Sequence, residues 1–219
     1  IKCVKEMDML RDSIYHYGVD FIRKHGDSPV ATYVVNKLAV ERYGREEAQR
    51  VLELFPPQVR TGEMGEQLEK TLIGKTLYVN DMMPDFLVLD INLNEKRLSE
   101  CVHKGRYTLV ELWASWCGPC RQEMKNLREQ YAEFKDQGVR FMSISLDDSV
   151  EKWKKACEEE QIPWISVRDD NGWSKSEIRK LFGIQAIPFI VLLDKDGNIV
   201  AKNIRRNSLR EKILELLQK

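Results

Sequence analysis

The sequence predicts an α/β domain preceded by an all-α segment. Three observations carry that prediction. Residues 1 to about 75 show helical spacing of apolar residues with no strand alternation. Residues 107–146 then run strand, helix, strand with short links, the signature of a βαβ unit with parallel strands. Finally, Asp196-Gly197 stands between two apolar runs, a strong short-range hairpin signal. The expected division is a helical segment over 1–75 and an α/β domain over 76–219.

In the first part, Leu10, Ile14, Tyr17 and Phe21 repeat at helical spacing, and Gly26 follows as a stop. Ser28 offers an N-cap and Pro29 a first helical position for a second helix, expected to run to Gly44. A third helix, Glu46 to Phe55, ends at Pro56-Pro57, and a fourth covers Glu63 to Leu72 before Gly74. From Pro84 the character changes. Phe86–Leu89 reads as a strand, and Leu98, Cys101 and Val102 as one helical turn before Gly105.

Tyr107–Trp113 reads as a buried strand. Cys117–Gln137 is helical, with Met124, Leu127, Tyr131 and Phe134 on one face and Gly138 as its stop. Val139–Leu146 is the next strand, followed by a helix over Ser149–Glu160, a strand near Trp164–Val167 and a helix over Lys175–Phe182. Phe189–Leu193 and Ile199–Ile204 form the hairpin. The last helix is expected to start at a capping box of Ser208 and Glu211, with Leu209, Ile213, Leu216 and Leu217 on its apolar face.

Composition narrows the function. The 219 residues are 42% hydrophobic and carry 35 basic against 35 acidic side chains. Split at residue 84, the first part holds 12 basic and 13 acidic residues and the rest 23 and 22, so neither has a sign bias. Nucleic acid and anionic lipid both require clustered positive charge, so neither is an expected partner. The longest apolar run, Ala186 to Leu193, is far short of the ~20 residues that span a bilayer, so no transmembrane segment is expected. The chain opens at Ile1 without a charged-then-apolar leader and reads as a mature or trimmed fragment. Five cysteines are too few, and odd in number, for a disulfide scaffold.

The chemistry concentrates in Trp113-Ala114-Ser115-Trp116-Cys117-Gly118-Pro119-Cys120-Arg121. Two thiols separated by Gly118 and Pro119 can close a small disulfide, and they lie where a strand ends and a helix begins. Cys117 would sit at the helix N-terminus, where unpaired N–H groups and the helix dipole favour its thiolate. Cys120, inside the first turn, would be more shielded. The expected cycle is attack by Cys117 on a substrate disulfide, a mixed disulfide, and resolution by Cys120. Zinc would need two further ligands, and Cys3, Cys101, Cys157, His16, His25 and His103 are isolated from one another in sequence, so no metal site is expected. Cys101 and Cys157 read as small buried hydrophobes.

The stretch Trp113–Cys120 resembles the active-site segment of thioredoxins, and Ala186-Ile187-Pro188-Phe189 resembles the loop that holds their cis-proline. The likeness is closer still to the extracytoplasmic TlpA/ResA type. It includes Met83-Pro84-Asp85-Phe86, the stretch Gly105–Glu111 and Asp194-Lys195-Asp196-Gly197, and covers about residues 82–219. Many relatives carry a proline where this chain has Lys125, so a straighter helix is expected here.

The resemblance implies a thioredoxin fold, a central mixed β-sheet flanked by helices. The activity it implies is thiol-disulfide exchange in a periplasmic or otherwise extracytoplasmic setting, with a membrane or lipid tether expected in sequence upstream of Ile1. No cofactor is needed. The partners are protein disulfide substrates and an upstream thiol electron donor. It further implies a cis Ile187-Pro188 bond facing the thiols, with Ile187 backbone groups pairing to an extended substrate segment beside Trp116, Gly118 and Pro119.

Glu111 stands where thioredoxins carry a buried acid. It is either an exposed strand glutamate or a buried one with a raised pKa, suited to proton exchange with Cys120. Trp173 either borders the site or packs. Two other functions compete with exchange: a peroxidase of the same fold, disfavoured by the vicinal thiols and the lack of a Thr-x-x-Cys segment, and a non-enzymatic binding module built on the helical prefix.

Overall fold

In the computed structural model, residues 2–35, 38, 44–73, 77–102 and 105–218 are described. They form two compact units, residues 1–78 and 79–219.

The first unit is helical: α1 (Lys2–His25), α2 (Pro29–Val35), α3 (Arg45–Glu53), α4 (Pro57–Arg60) and α5 (Gly62–Leu72). Ser28 caps α2 as expected, its Oγ accepting the Val30 N–H at 3.2 Å. The expected run of this helix to Gly44 crosses residues 36, 37 and 39–43, which lie outside the described residues, as does the stop at Gly74. Tyr15 and Ile22 of α1 pack with Ala31, Val35, Val51, Phe55, Leu68 and Leu72 into one core.

The face of α1 is a correction. Leu10, Ile14 and Tyr17 are exposed, at 61%, 54% and 79%, and of the expected face Phe21 packs against the core, while the buried side runs through Tyr15 and Ile22. Gly18, between them, explains the choice. A Cβ there would stand 2.2 Å from Leu38 Cδ2, so this is the side on which the chain approaches closely. α3 ends before Pro56-Pro57 as expected, and Pro57 then opens the single turn of α4.

The second unit carries β1 (Leu87–Leu89), β2 (Glu95–Arg97), α6 (Leu98–Cys101), β3 (Tyr107–Trp113), α7 (Gly118–Phe134), β4 (Val139–Ser145), α8 (Val150–Glu159) and β5 (Ile165–Arg168). It continues through α9 (Gly172–Lys175), α10 (Glu177–Leu181), β6 (Phe189–Leu193), β7 (Ile199–Lys202) and α11 (Arg206–Leu217). The seven strands make one mixed sheet in the order β2-β1-β5-β4-β3-β6-β7.

β3 lies inside the sheet, between β4 and β6, and is buried at all seven positions, which fits its near-continuous apolar run. It pairs in parallel with β4 and antiparallel with β6. The β6–β7 hairpin turns at Asp196-Gly197, where Gly197 takes φ +94°. β2 has no apolar residue and gives no strand signal in the sequence; Glu95, Lys96 and Arg97 form a charged rim that pairs only with β1. At the other rim the 80–83 segment covers β7, with Asn80 N–H on Ile199 O (2.7 Å) and Ile199 N–H on Asp81 O (2.9 Å).

α7 runs unbroken past Lys125. Its expected face holds for Met124, Leu127 and Phe134, all fully buried. The capping box at Ser208 is not formed: α11 starts at Arg206, with Arg205 as its N-cap and no side-chain cap, so Ser208 lies inside the first turn. The apolar face of α11 is nonetheless the expected one, Leu209, Ile213 and Leu216 being buried. The helix expected over Lys175–Phe182 is α10, with Ser176 Oγ as its cap accepting the Arg179 N–H at 3.1 Å, and the single turn of α9 before it is unexpected.

Candidate active site

β3 ends at Trp113 and the chain turns through Ala114–Trp116 into α7, so that Cys117 is the N-cap of that helix. Cys117 and Cys120 form a disulfide. Cys117 Sγ also accepts the Cys120 backbone N–H at 3.2 Å, the kind of orphan donor that a helix start leaves. Both cysteines are buried, Cys117 at 5% exposure and Cys120 at 0%. The surface above them belongs to Trp116, Gly118 and Pro119, all exposed.

Facing the disulfide is the loop before β6. Its Ile187-Pro188 bond is cis, and Ile187 O lies 3.5 Å from Cys117 Sγ. Arg205 donates to the Pro188 carbonyl from the other side. The expected thiols and proline loop therefore meet. Trp173 borders them too: its ring meets that of Trp116 edge-on at 5.6 Å, and the Arg179 guanidinium lies 4.4 Å from the Trp173 ring centre.

The turn before Cys117 is tied down by groups the sequence reading did not single out. Asp147, 1% exposed at the end of β4, accepts the Ser115 N–H (2.8 Å), the Ser115 hydroxyl (2.5 Å) and the Ser145 hydroxyl (2.7 Å). Arg121 Nε donates to Ser115 O at 3.0 Å, and its Nη1 reaches Glu159 at 2.8 Å. The signal for these was present. Ser143, Ser145 and Asp147 alternate with Met142, Ile144 and Leu146 at the end of β4 and just past it, a polar set on one side of the chain that calls for partners there.

Glu111 is the buried alternative, not the exposed one. It is 0% exposed, pairs across the sheet with Ser143 and Ile190, and accepts the Ser143 hydroxyl on Oε2 at 2.9 Å, while Oε1 has no hydrogen-bond partner. Burial pushes its pKa up to about 8. The Ser143 bond acts against that rise, and the charges of Glu123 and Glu160 add to it. Cys101 is buried, and Cys157 is partly buried with its sulfur 3.2 Å from Ser166 Oγ. Burial raises both thiols, Cys157 to about 11, which leaves them protonated and inert beside the Cys117–Cys120 couple. Among the described residues no cluster of three or more His, Cys, Asp or Glu could hold a metal ion.

A mixed sheet with flanking helices, carrying a disulfide-bonded cysteine pair at the start of α7, defines a thioredoxin-like thiol-disulfide oxidoreductase. Comparisons with known proteins agree. The chain belongs to the AhpC/TSA family, whose model matches residues 79–202. It is 28% identical over 151 residues to the thiol-disulfide oxidoreductase ResA of Bacillus thuringiensis, covering 69% of this chain and 80% of that one.

Among solved structures, it is similar to the thioredoxin domain of a thiol-disulfide oxidoreductase from Bacteroides vulgatus. That match has a TM-score of 0.58 and 31% identity, covering 65% of this chain and 99% of that one. A thiol-disulfide oxidoreductase from Bacteroides fragilis matches with the same score and identity, over 62% and 99%. The resemblance to the TlpA/ResA type therefore holds.

Proposed function

We propose that the chain reduces disulfides in protein substrates outside the cytoplasm, with Cys117 as the attacking thiolate. The observation that carries this reading is the position of Cys117: N-cap of a seventeen-residue helix, next to an exposed Trp116 and within 3.5 Å of the Ile187 carbonyl. In the reduced enzyme the helix terminus favours the thiolate of Cys117.

That sulfur attacks one sulfur of the substrate disulfide. A bond forms between Cys117 and the substrate, and the other substrate sulfur leaves as a thiolate. Cys120, after losing its proton, attacks Cys117 Sγ and breaks the mixed disulfide. The second substrate thiol departs, and the enzyme is left in the disulfide form described here. Two electrons have passed to the substrate, and an upstream thiol donor must restore them.

Glu111 is the group we assign to take the Cys120 proton. Its carboxyl is buried in the strand that feeds the Cys117 turn, and its raised pKa brings it into the range of a thiol. Ile187 and Pro188, with Trp116, Gly118 and Pro119, form the face on which we place an extended substrate segment. The placement outside the cytoplasm rests on the TlpA/ResA resemblance.

The test is reduction of insulin with a thiol donor. Cys117→Ala is expected to abolish turnover, and Cys120→Ser to accumulate mixed disulfides through Cys117. Normal insulin reduction by Cys117→Ala would sink the reading, and faster alkylation of Cys120 than of Cys117 would reverse the roles of the two thiols.

A further inference from the structure

Behind Glu111 lies a short polar chain inside the sheet. Ser143, on β4, is 0% exposed, and its Oγ has two partners: it donates to Glu111 Oε2 at 2.9 Å and accepts the Trp164 indole N–H at 2.7 Å. An indole N–H only donates. The hydroxyl proton of Ser143 therefore has one acceptor among its partners, and that acceptor is Glu111. Trp164 is itself fixed by its ring, which packs against Tyr131 of α7 at 5.4 Å and Phe141 of β4 at 5.7 Å.

We propose that Ser143 and Trp164 are positioning residues for Glu111. The indole N–H turns the Ser143 hydroxyl proton onto Oε2, so that Oε2 stays engaged and Oε1 is the oxygen that receives a proton during exchange.

The proposal rests on the reading of Glu111 as acceptor of the Cys120 proton. In that step the Cys120 S–H bond breaks, its electron pair stays on sulfur, and the new O–H bond forms at Oε1; nothing is oxidised until the thiolate attacks. A hydroxyl that could rotate would offer a lone pair to the protonated acid as readily as a proton to the carboxylate. The Trp164 bond biases it toward the carboxylate and lowers the pH at which Glu111 ionises. The other charges that bear on Glu111 are Glu123 of α7 and Glu160 after α8, which oppose ionisation, and Arg205 before α11, which assists it.

The test uses the whole chain in its disulfide form. Difference infrared spectroscopy across pH 6 to 10 follows the protonated carboxyl stretch of Glu111, with Glu111→Gln as the blank. Ser143→Ala is expected to move the midpoint up by about one unit or more, and Trp164→Phe by a smaller shift of the same sign, while Ser143→Thr, which keeps the hydroxyl, restores it. Decay of the mixed disulfide at pH 7 should slow in step, roughly tenfold per unit.

Midpoints unchanged in both Ser143→Ala and Trp164→Phe would overturn the proposal. Trp164→Phe, which keeps a ring in the aromatic packing, carries the test if Ser143→Ala does not fold. Midpoints that move while the decay rates do not would instead overturn the role of Glu111 as proton acceptor.

Discussion

At the scale of single residues, Glu111 sets a pH signature that is independent of catalysis. Its carboxyl ionises near the ordinary 4.5 in the unfolded chain and at about 8 in the fold. Below pH 4.5 both states hold the proton and the fold loses nothing. As pH rises from there toward 8 the unfolded chain ionises while the fold must keep the proton, so stability falls progressively, by roughly 5 kcal/mol in all. Glu111→Gln should remove that slope. Thermal unfolding of the disulfide form at pH 5, 7 and 9 is expected to show the variant gaining on wild type at each step. The sequence left Glu111 open between exposed and buried, because an acid flanked by Val110 and Leu112 is compatible with an edge or a central strand. Only the sheet order, with β3 flanked by β4 and β6, decides it.

At the scale of elements, the turn between β3 and α7 depends on Asp147. Asp147→Ala would remove three accepted hydrogen bonds and strand the Ser115 N–H, so a loss of about 2–4 kcal/mol is expected in chemical denaturation, together with slower attack by Cys117. Asp147→Asn, which can still accept, should lose less. On the opposite flank, Trp173→Ala removes the ring that Trp116 meets edge-on. It should raise KM for protein disulfides several-fold while leaving turnover of a small disulfide unchanged, since a small molecule does not reach across that ring.

Elements with strong apolar signals, β3 and β6 above all, were legible to the residue, as was the strand-to-helix placement of Cys117. The misses share a cause. A helix with two apolar stripes, as α1 has, does not say which one packs, and α9 is a single four-residue turn with no side-chain cap to announce it.

At the scale of the molecule, residues 79–219 hold every group assigned to the reaction, and the sheet closes without residues 1–78. The 79–219 fragment is expected to reduce insulin at a rate within about twofold of the full chain; a fragment that folds but has lost turnover would assign the helical unit a part in the chemistry. The two rims of that sheet bear on a different matter, the colloidal behaviour of the enzyme at high concentration. One rim is covered by the 80–83 segment, and the other is the three-residue strand Glu95-Lys96-Arg97, too short and too charged to accept a strand from a neighbouring copy. Replacing Glu95 with Thr, Lys96 with Val and Arg97 with Thr would give that rim a strand-forming, neutral ladder. Light scattering of such a variant should grow with time and protein concentration where that of the native chain stays flat, because an uncharged, strand-forming rim is a template for pairing with a second copy.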